Sequence, residues 1–392
     1  MRTTTRILVS HALAATTMGM AWPLLLAAVW STTGSPLWLG VAGAARMAPY
    51  VLCSWWVGQF ADRHSRSGIV RMTLWSRVLL LAASGVALWA GWLAAAVVVS
   101  ALAVAVATPA YPALVSGLPK VEGARARTTE WLVTIEVCSF VVGPAIGGLL
   151  LAVSGLVFPL AVIGTAVAWA VMRGVQLPAP VRRSPDGRAG WGPVLRASSQ
   201  VRRTVGLLAA INFVLAAVGI ALLPMATGDW ARPWSTETAF GVGTAVLGFG
   251  ALGAPLLVRL GRGPVRRTVY GLVLMAAAVL VLGLTPAVVA ALPALALVGA
   301  AAVHAEGNAT RHLQDLIPDD SRASVFGFGD TAMVGAALMG SLCAPLFAGL
   351  IGSRVLVVAL AVVTVGVAGL VRGSVPVLSP AAPQEAPASG LT

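Results

Sequence analysis

Residues 205–227, VGLLAAINFVLAAVGIALLPMAT, run without a charged side chain just after the Arg202-Arg203 pair. A helix needs about 20 apolar residues to cross roughly 30 Å of hydrocarbon. In lipid the backbone must satisfy its own hydrogen bonds, and a run this long, without the alternation of a barrel strand, does so as a helix. Eleven further windows read the same way: 7–29, 37–60, 70–90, 93–116, 129–152, 156–173, 237–258, 268–285, 287–310, 323–350 and 354–371. The sequence therefore predicts an all-α polytopic membrane protein with twelve transmembrane helices. Composition agrees: of 392 residues 58% are hydrophobic and 10% charged, with a mean hydropathy of +0.90, against about 25% charged in a soluble domain. The N-terminal segment has the outline of a secretory signal, with Arg2 and Arg6 ahead of an apolar run, but the run is too long and reads as the first span.

The 26 basic residues exceed the 13 acidic ones, for a net charge of +13. Their placement explains them. With the N-terminus inside, only Arg232 and Arg354 fall outside and only Arg46 and Arg77 fall within spans, so the rest obey the positive-inside rule. This predicts a multi-pass protein of the cytoplasmic membrane with both termini cytoplasmic, and no nucleic-acid partner. Trp30 and Trp38, Trp89 and Trp92, and Trp230 and Trp234 bracket three outer loops, as an aromatic belt would. Cys53, Cys138 and Cys343 lie inside apolar spans without metal-ligand spacing, so neither a disulfide framework, a metal nor a cofactor is expected.

Between the sixth and seventh windows the composition changes. Residues 178–203 are rich in Pro, Gly and Arg, and residues 374–392 in Pro, Ala and Ser. The expected organisation is a six-helix bundle over 1–173, a cytoplasmic linker over 174–203 with a short surface helix near Val194–Arg203, a second bundle over 204–372, and a disordered tail over 373–392. The two halves repeat one another. Arg63 and Arg66 of GQFADRHSR (58–66) align with Arg259 and Arg262 of APLLVRLGR (254–262) at an offset of 196, and Pro144 aligns with Pro345 at 201. Leu118-Pro119 and Ile317-Pro318 fall between these offsets, as do Arg125-Ala126 and Arg322-Ala323. A unit duplicated in parallel suits alternating access, in which two bundles rock about a site at mid-membrane.

These residues carry a family resemblance. GQFADRHSR, between the second and third windows, resembles the signature motif of the major facilitator superfamily. Gly143-Pro144-Ala145-Ile146-Gly147-Gly148 resembles the motif of its drug-proton antiporter branch, and PAYPALV (109–115) with Leu118-Pro119 is similar to siderophore and macrolide exporters. The resemblance implies the two-bundle fold, a cavity lined mainly by the first, fourth, seventh and tenth spans, and a cytoplasmic latch. In that latch Asp62, with Gly58 beside it, meets the start of the eleventh span near Arg322, and Arg63 and Arg66 pair with nearby acids such as Asp315, Asp319 or Asp320. Gly143, Pro144, Gly147 and Gly148 allow close helix approach independently of the resemblance, and glycine-rich span eight is the expected partner. The chain departs from the pattern at Ser65 and Ser67, at Val258 where the second half lacks the aspartate, and in the fourth span, which has no buried arginine.

Ionisable residues inside spans point to function, because a charge at the bilayer centre costs at least about 2.5–3.5 kcal/mol. Glu136 lies nine residues past Arg127, about 13 Å along a helix at 1.5 Å per residue. Asp330 lies eight past Arg322, about 12 Å in by the same rise. Glu136 is the leading candidate for proton coupling, with Asp330 and Glu306 as rivals. Glu130 sits nearer the interface. His304 and Asn308 share a helical face, with Glu306 directed elsewhere toward Arg311. Arg46 is a counter-charge for an acid or a contact for an anionic substrate group.

The expected cavity surface combines Thr17, Trp22, Arg46, Tyr111, Asn212, Phe213, His304 and Asn308. Apolar and aromatic surface with a few polar groups suits an amphipathic organic compound. The sequence reading is a monomeric exporter that exchanges protons for a lipophilic or amphipathic small molecule such as a drug, siderophore or natural product, in contact with membrane lipid. A proton-coupled importer of the same fold and a non-transporting receptor are the alternatives. No Ser/His/Asp arrangement suggests an enzyme.

Overall fold

The computed structural model describes residues 3–63, 65–116, 124–177, 191–227, 230, 234–259, 263–317 and 322–372. Every predicted window is helical. The first half comprises α1 (Thr3–Thr33), α2 (Pro36–Arg63), α3 (Arg66–Trp89), α4 (Leu93–Ala107), α5 (Ala110–Ser116), α6 (Ala124–Leu149) and α7 (Val157–Met172). A short α8 (Trp191–Ala197) precedes the second half: α9 (Ser199–Thr227), α10 (Thr236–Gly250), α11 (Pro264–Leu284), α12 (Val288–Leu316), α13 (Arg322–Ile351) and α14 (Ser353–Arg372). Among the described residues, nine helical stretches are long and apolar enough to cross a membrane.

The exceptions have local causes. The window 93–116 breaks at Thr108-Pro109, where proline has no N–H to continue the ladder, so α4 stops and α5 restarts. The windows 129–152 and 237–258 end in 3₁₀ turns, Leu150–Leu156 and Ala251–Arg259, the latter around Gly253 and Pro255. Short connections join several neighbours. At Gly91 the backbone turns left-handed (φ 79°), and the Trp92 N–H donates back to the Ala87 carbonyl at 2.8 Å, which reverses the chain between α3 and α4. The surface helix sits earlier than expected: Ser198 ends α8, and its Oγ accepts from the Val201 N–H at 3.2 Å, so Arg202 and Arg203 already belong to α9. Residues 178–190 and the tail 373–392 lie outside the described residues.

Packing reproduces the duplication. α1 packs on α6 as α9 packs on α13, α3 on α4 as α11 on α12, and α3 on α7 as α11 on α14. The halves meet chiefly through α2 against α13 and α6 against α10, a pair of contacts exchanged by the same two-fold relation. Glycines make these approaches possible. A Cβ at Gly143 would lie 3.0 Å from Gly19 Cα of α1, and one at Gly147 would strike the Met20 carbonyl. In the second half, Gly340 of α13 meets the Phe213 carbonyl of α9 in the same way. Between halves, Cβ atoms at Gly148 and Gly40 would fall 2.6 Å from the Gly241 carbonyl and 2.7 Å from the Leu342 carbonyl.

Hydroxyls add cross-helix bonds inside the first half. Ser10 Oγ donates to the Ala168 carbonyl at 2.8 Å, Thr17 and Thr165 hydroxyls pair at 2.9 Å, and Ser84 and Ser100 hydroxyls at 2.7 Å. In lipid such bonds contribute about 0.6–2 kcal/mol each. The tryptophan belt is incomplete. Trp89 and Trp92 are 90% and 70% exposed, but Trp230 is fully buried in the core of the second half rather than at an interface.

Candidate functional site

A cavity of about 830 Å³ lies between the halves. Its lining reaches Val70, Trp191 and Gly327, close to the end of the bundle that carries both described termini. The opposite end is shut by the Gly148–Gly241 and Gly40–Leu342 approaches.

Seven of the residues singled out in the sequence line this one space: Trp22, Arg46, Tyr111, Glu136, Asn212, Glu306 and Asp330. Pro144 joins them. Spans one, four, seven and ten all contribute, but so do α2, α3, α6, α10 and α13. On α1 the lining face is Ser10, His11, Ala14, Ala15, Met18 and Trp22, spaced for one side of a helix.

Four expected cavity residues do not line it. Thr17 turns to α7, where its hydroxyl pairs with Thr165 and donates to the Leu13 carbonyl at 2.8 Å. Phe213 packs against the hydrophobic core. His304 and Asn308 share a face, as their spacing requires, but that face is buried within the second half, with the Asn308 side chain donating to the His304 carbonyl at 2.7 Å. The lining face of α12 is instead Gly299, Val303 and Glu306. Glu306 therefore faces the cavity beside the Asn212 side chain, rather than turning away toward Arg311. The side chains of Gly58, Asp62, Arg63, Glu130 and Arg322, and residues 318–321, lie outside those described. Arg66 opens α3, half-buried.

His11 is the site residue that the sequence reading missed. It is buried, its ring stacks on Tyr111 at 5.6 Å between centroids, and its Nε2 lies 3.0 Å from Glu136 Oε2. That is ion-pair distance, without the alignment of a hydrogen bond. An intramembrane histidine one turn into an apolar window was the signal available. Arg77 is also buried beside the cavity, and its guanidinium donates to the Ala14 carbonyl of α1.

The charges divide unevenly. His11, Arg46, Arg77 and Glu136 come from the first half, while Glu306 and Asp330 come from the second. Asp330 is exposed, and the space it faces is the cavity. Among the described residues no cluster of three or more His, Cys, Asp or Glu side chains could hold a metal ion. The arrangement can take up protons or charged ligand groups inside a mostly apolar wall, between two halves that meet at helix contacts.

Comparison with known proteins places this architecture. The sequence description of the Major Facilitator Superfamily matches residues 7–340. The chain belongs to that superfamily. As a major facilitator protein it shares its fold with solved transporters of low sequence similarity. The human organic anion transporter MFSD10 (TETRAN) superposes with a TM-score of 0.69 at 16% identity, over 94% of this chain and 99% of that one. The POT family transporter PepTSo gives 0.74 at 10% identity, over 95% and 97%. A bacterial homolog of the human lysosomal transporter Spinster, in an inward-facing and unoccupied conformation, gives 0.65 at 16% identity, over 94% and 97%. Among curated proteins no sequence matches the chain. Superfamily membership makes this chain a multi-pass membrane transporter.

Proposed function

We propose that this transporter exports an amphipathic or lipophilic small molecule across the cytoplasmic membrane in exchange for protons, by alternating access with both termini cytoplasmic. The observation that carries the reading is the gathering of Glu136, Glu306 and Asp330 into one largely apolar cavity between the halves. Carboxyl groups held there can bind and release protons as the cavity is exposed to one side and then the other. Drug-sized ligands occupy sites of roughly 300–1,000 Å³ with apolar walls and few polar groups, and the cavity is of that kind.

Two features favour export. The Gly143-Pro144 segment resembles that of drug-proton antiporters, and its Gly148 lies in the contact that shuts the end opposite the termini. The Asp62 latch, with Gly58, Arg63 and Arg66, is proposed to hold the cytoplasmic end closed in the other state. The working unit is a monomer, since one chain contains the whole cavity.

The test is accumulation of lipophilic dyes and antibiotics in efflux-deficient cells expressing the protein, with and without a protonophore. Lowered accumulation that the protonophore restores supports export. Raised accumulation of a compound replaces it with proton-coupled import.

A further inference from the structure

Resting on the transport reading, the partners of each cavity charge narrow the class of substrate. Glu136 has His11 within ion-pair distance. Glu306 has the Asn212 side chain beside it, and Arg77 is engaged by the Ala14 carbonyl. Arg46 and Asp330 are different. Among the described residues neither makes a hydrogen bond or ion pair, and both face the cavity.

They come from different halves, on two helices that pack against each other, α2 and α13. Arg46 is on α2 of the first half, and its electrostatic neighbour is Tyr50 of its own helix. Asp330 is on α13 of the second half, and its electrostatic neighbours are two further acids, Glu136 and Glu306, together with Tyr50 and Tyr111. The same cavity is lined by apolar side chains that include Trp22, Met47, Phe240 and Met333. A charge facing such a wall without a partner is costly, and a ligand that supplies the complement removes that cost.

We propose that the substrate is bipolar: an apolar body carrying an anionic group that binds Arg46 and a basic group that binds Asp330, bridging the two halves. A purely cationic molecule would leave the Arg46 guanidinium unmatched. A purely anionic one would leave Asp330 beside two other acids. The cavity, at about 830 Å³, has room for a drug-sized molecule with both groups.

The test measures binding to the purified full chain in detergent at fixed pH. No proton gradient is involved, so a failure of proton coupling leaves this readout intact. The probes are ε-dansyl-lysine, its methyl ester, which keeps only the amine, and its α-N-acetyl derivative, which keeps only the carboxylate. Energy transfer from Trp22 and Trp191, which line the cavity, reports occupancy. A parallel series on naphthylalanine, read by competition, guards against an unsuitable scaffold. The bipolar member of a series should bind at least about 10-fold more tightly than either singly charged one. Arg46→Gln should remove its advantage over the ester, and Asp330→Asn its advantage over the acetyl derivative. If Arg46→Gln does not fold, Arg46→Lys keeps the charge and should keep the preference. Equal affinity within both series, best binding by an ester, no binding by either bipolar member, or equal weakening of all probes by both variants would each overturn the proposal.

Discussion

In the first half of the chain, α1, α2 and α3 bring His11, Arg46 and Arg77 to the cavity and α6 adds Glu136. In the second half, α12 and α13 bring Glu306 and Asp330, and no described lysine or arginine lines that wall. Yet the same halves use matching helix contacts. Gly143 and Gly147 let α6 lie on α1, and Gly340 lets α13 lie on α9. The difference teaches which features a duplicated fold is obliged to repeat. Backbone approach has no tolerance for a Cβ, so each copy needs small residues at its crossings. A cavity wall meets open space, and its charges need only be matched by a neighbour, the opposite wall or a ligand.

The largest expected effect concerns the charge side of this comparison. Glu136→Gln should leave no uphill transport above background while ligand binding persists, measured by flux into proteoliposomes and by equilibrium binding. Retained pH-driven flux in that variant removes Glu136 from the mechanism. His11→Leu should weaken transport strongly, whereas His11→Gln, which keeps a donor near Glu136, should retain more of it.

The packing side breaks differently. Gly148→Leu places a side chain against the Gly241 carbonyl, and overpacking of this kind costs typically 1–3 kcal/mol or more. Lowered thermal stability and transport are expected, and Gly241→Leu should copy them from the other half. Gly206→Ala is the control, since nothing lies within 4 Å of a Cβ there and it does not line the cavity. Arg77→Met withdraws a charged donor from the Ala14 carbonyl and should destabilise by about 1.5–3 kcal/mol. The smallest effect is expected for Thr165→Val, which loses the 2.9 Å bond to Thr17, about 0.6–2 kcal/mol. Thermal melting in detergent ranks these variants, and an order reversed between Gly148→Leu and Thr165→Val would contradict the packing argument.

Much of the architecture was legible in the chain. Hydrophobic length located the helices, because lipid leaves the backbone no other way to satisfy its hydrogen bonds. The internal repeat anticipated contacts exchanged by a two-fold, and span eight supplied the glycine opposite Gly148. The site was less legible. Depth along a helix pointed to Glu136 and Asp330, and both line the cavity, but helix phase was misjudged on α12. His304 and Asn308 were expected in the cavity, and the structure puts Glu306 there. Two residues separate Glu306 from each of them, more than half a turn, so either side of that helix satisfies the same spacing.

What the sequence determined by itself is therefore what one helix and the bilayer decide between them: how many spans, where each begins, which positions lie deep and which residues share a face. What only the tertiary structure decided is which way each face turns. Rotation about a helix axis is set by the neighbours, by glycine against carbonyl and hydroxyl against hydroxyl across elements far apart in the chain. That is why His11 meets Glu136, residues 125 positions apart, and why Arg46 and Asp330 face one cavity from the two halves.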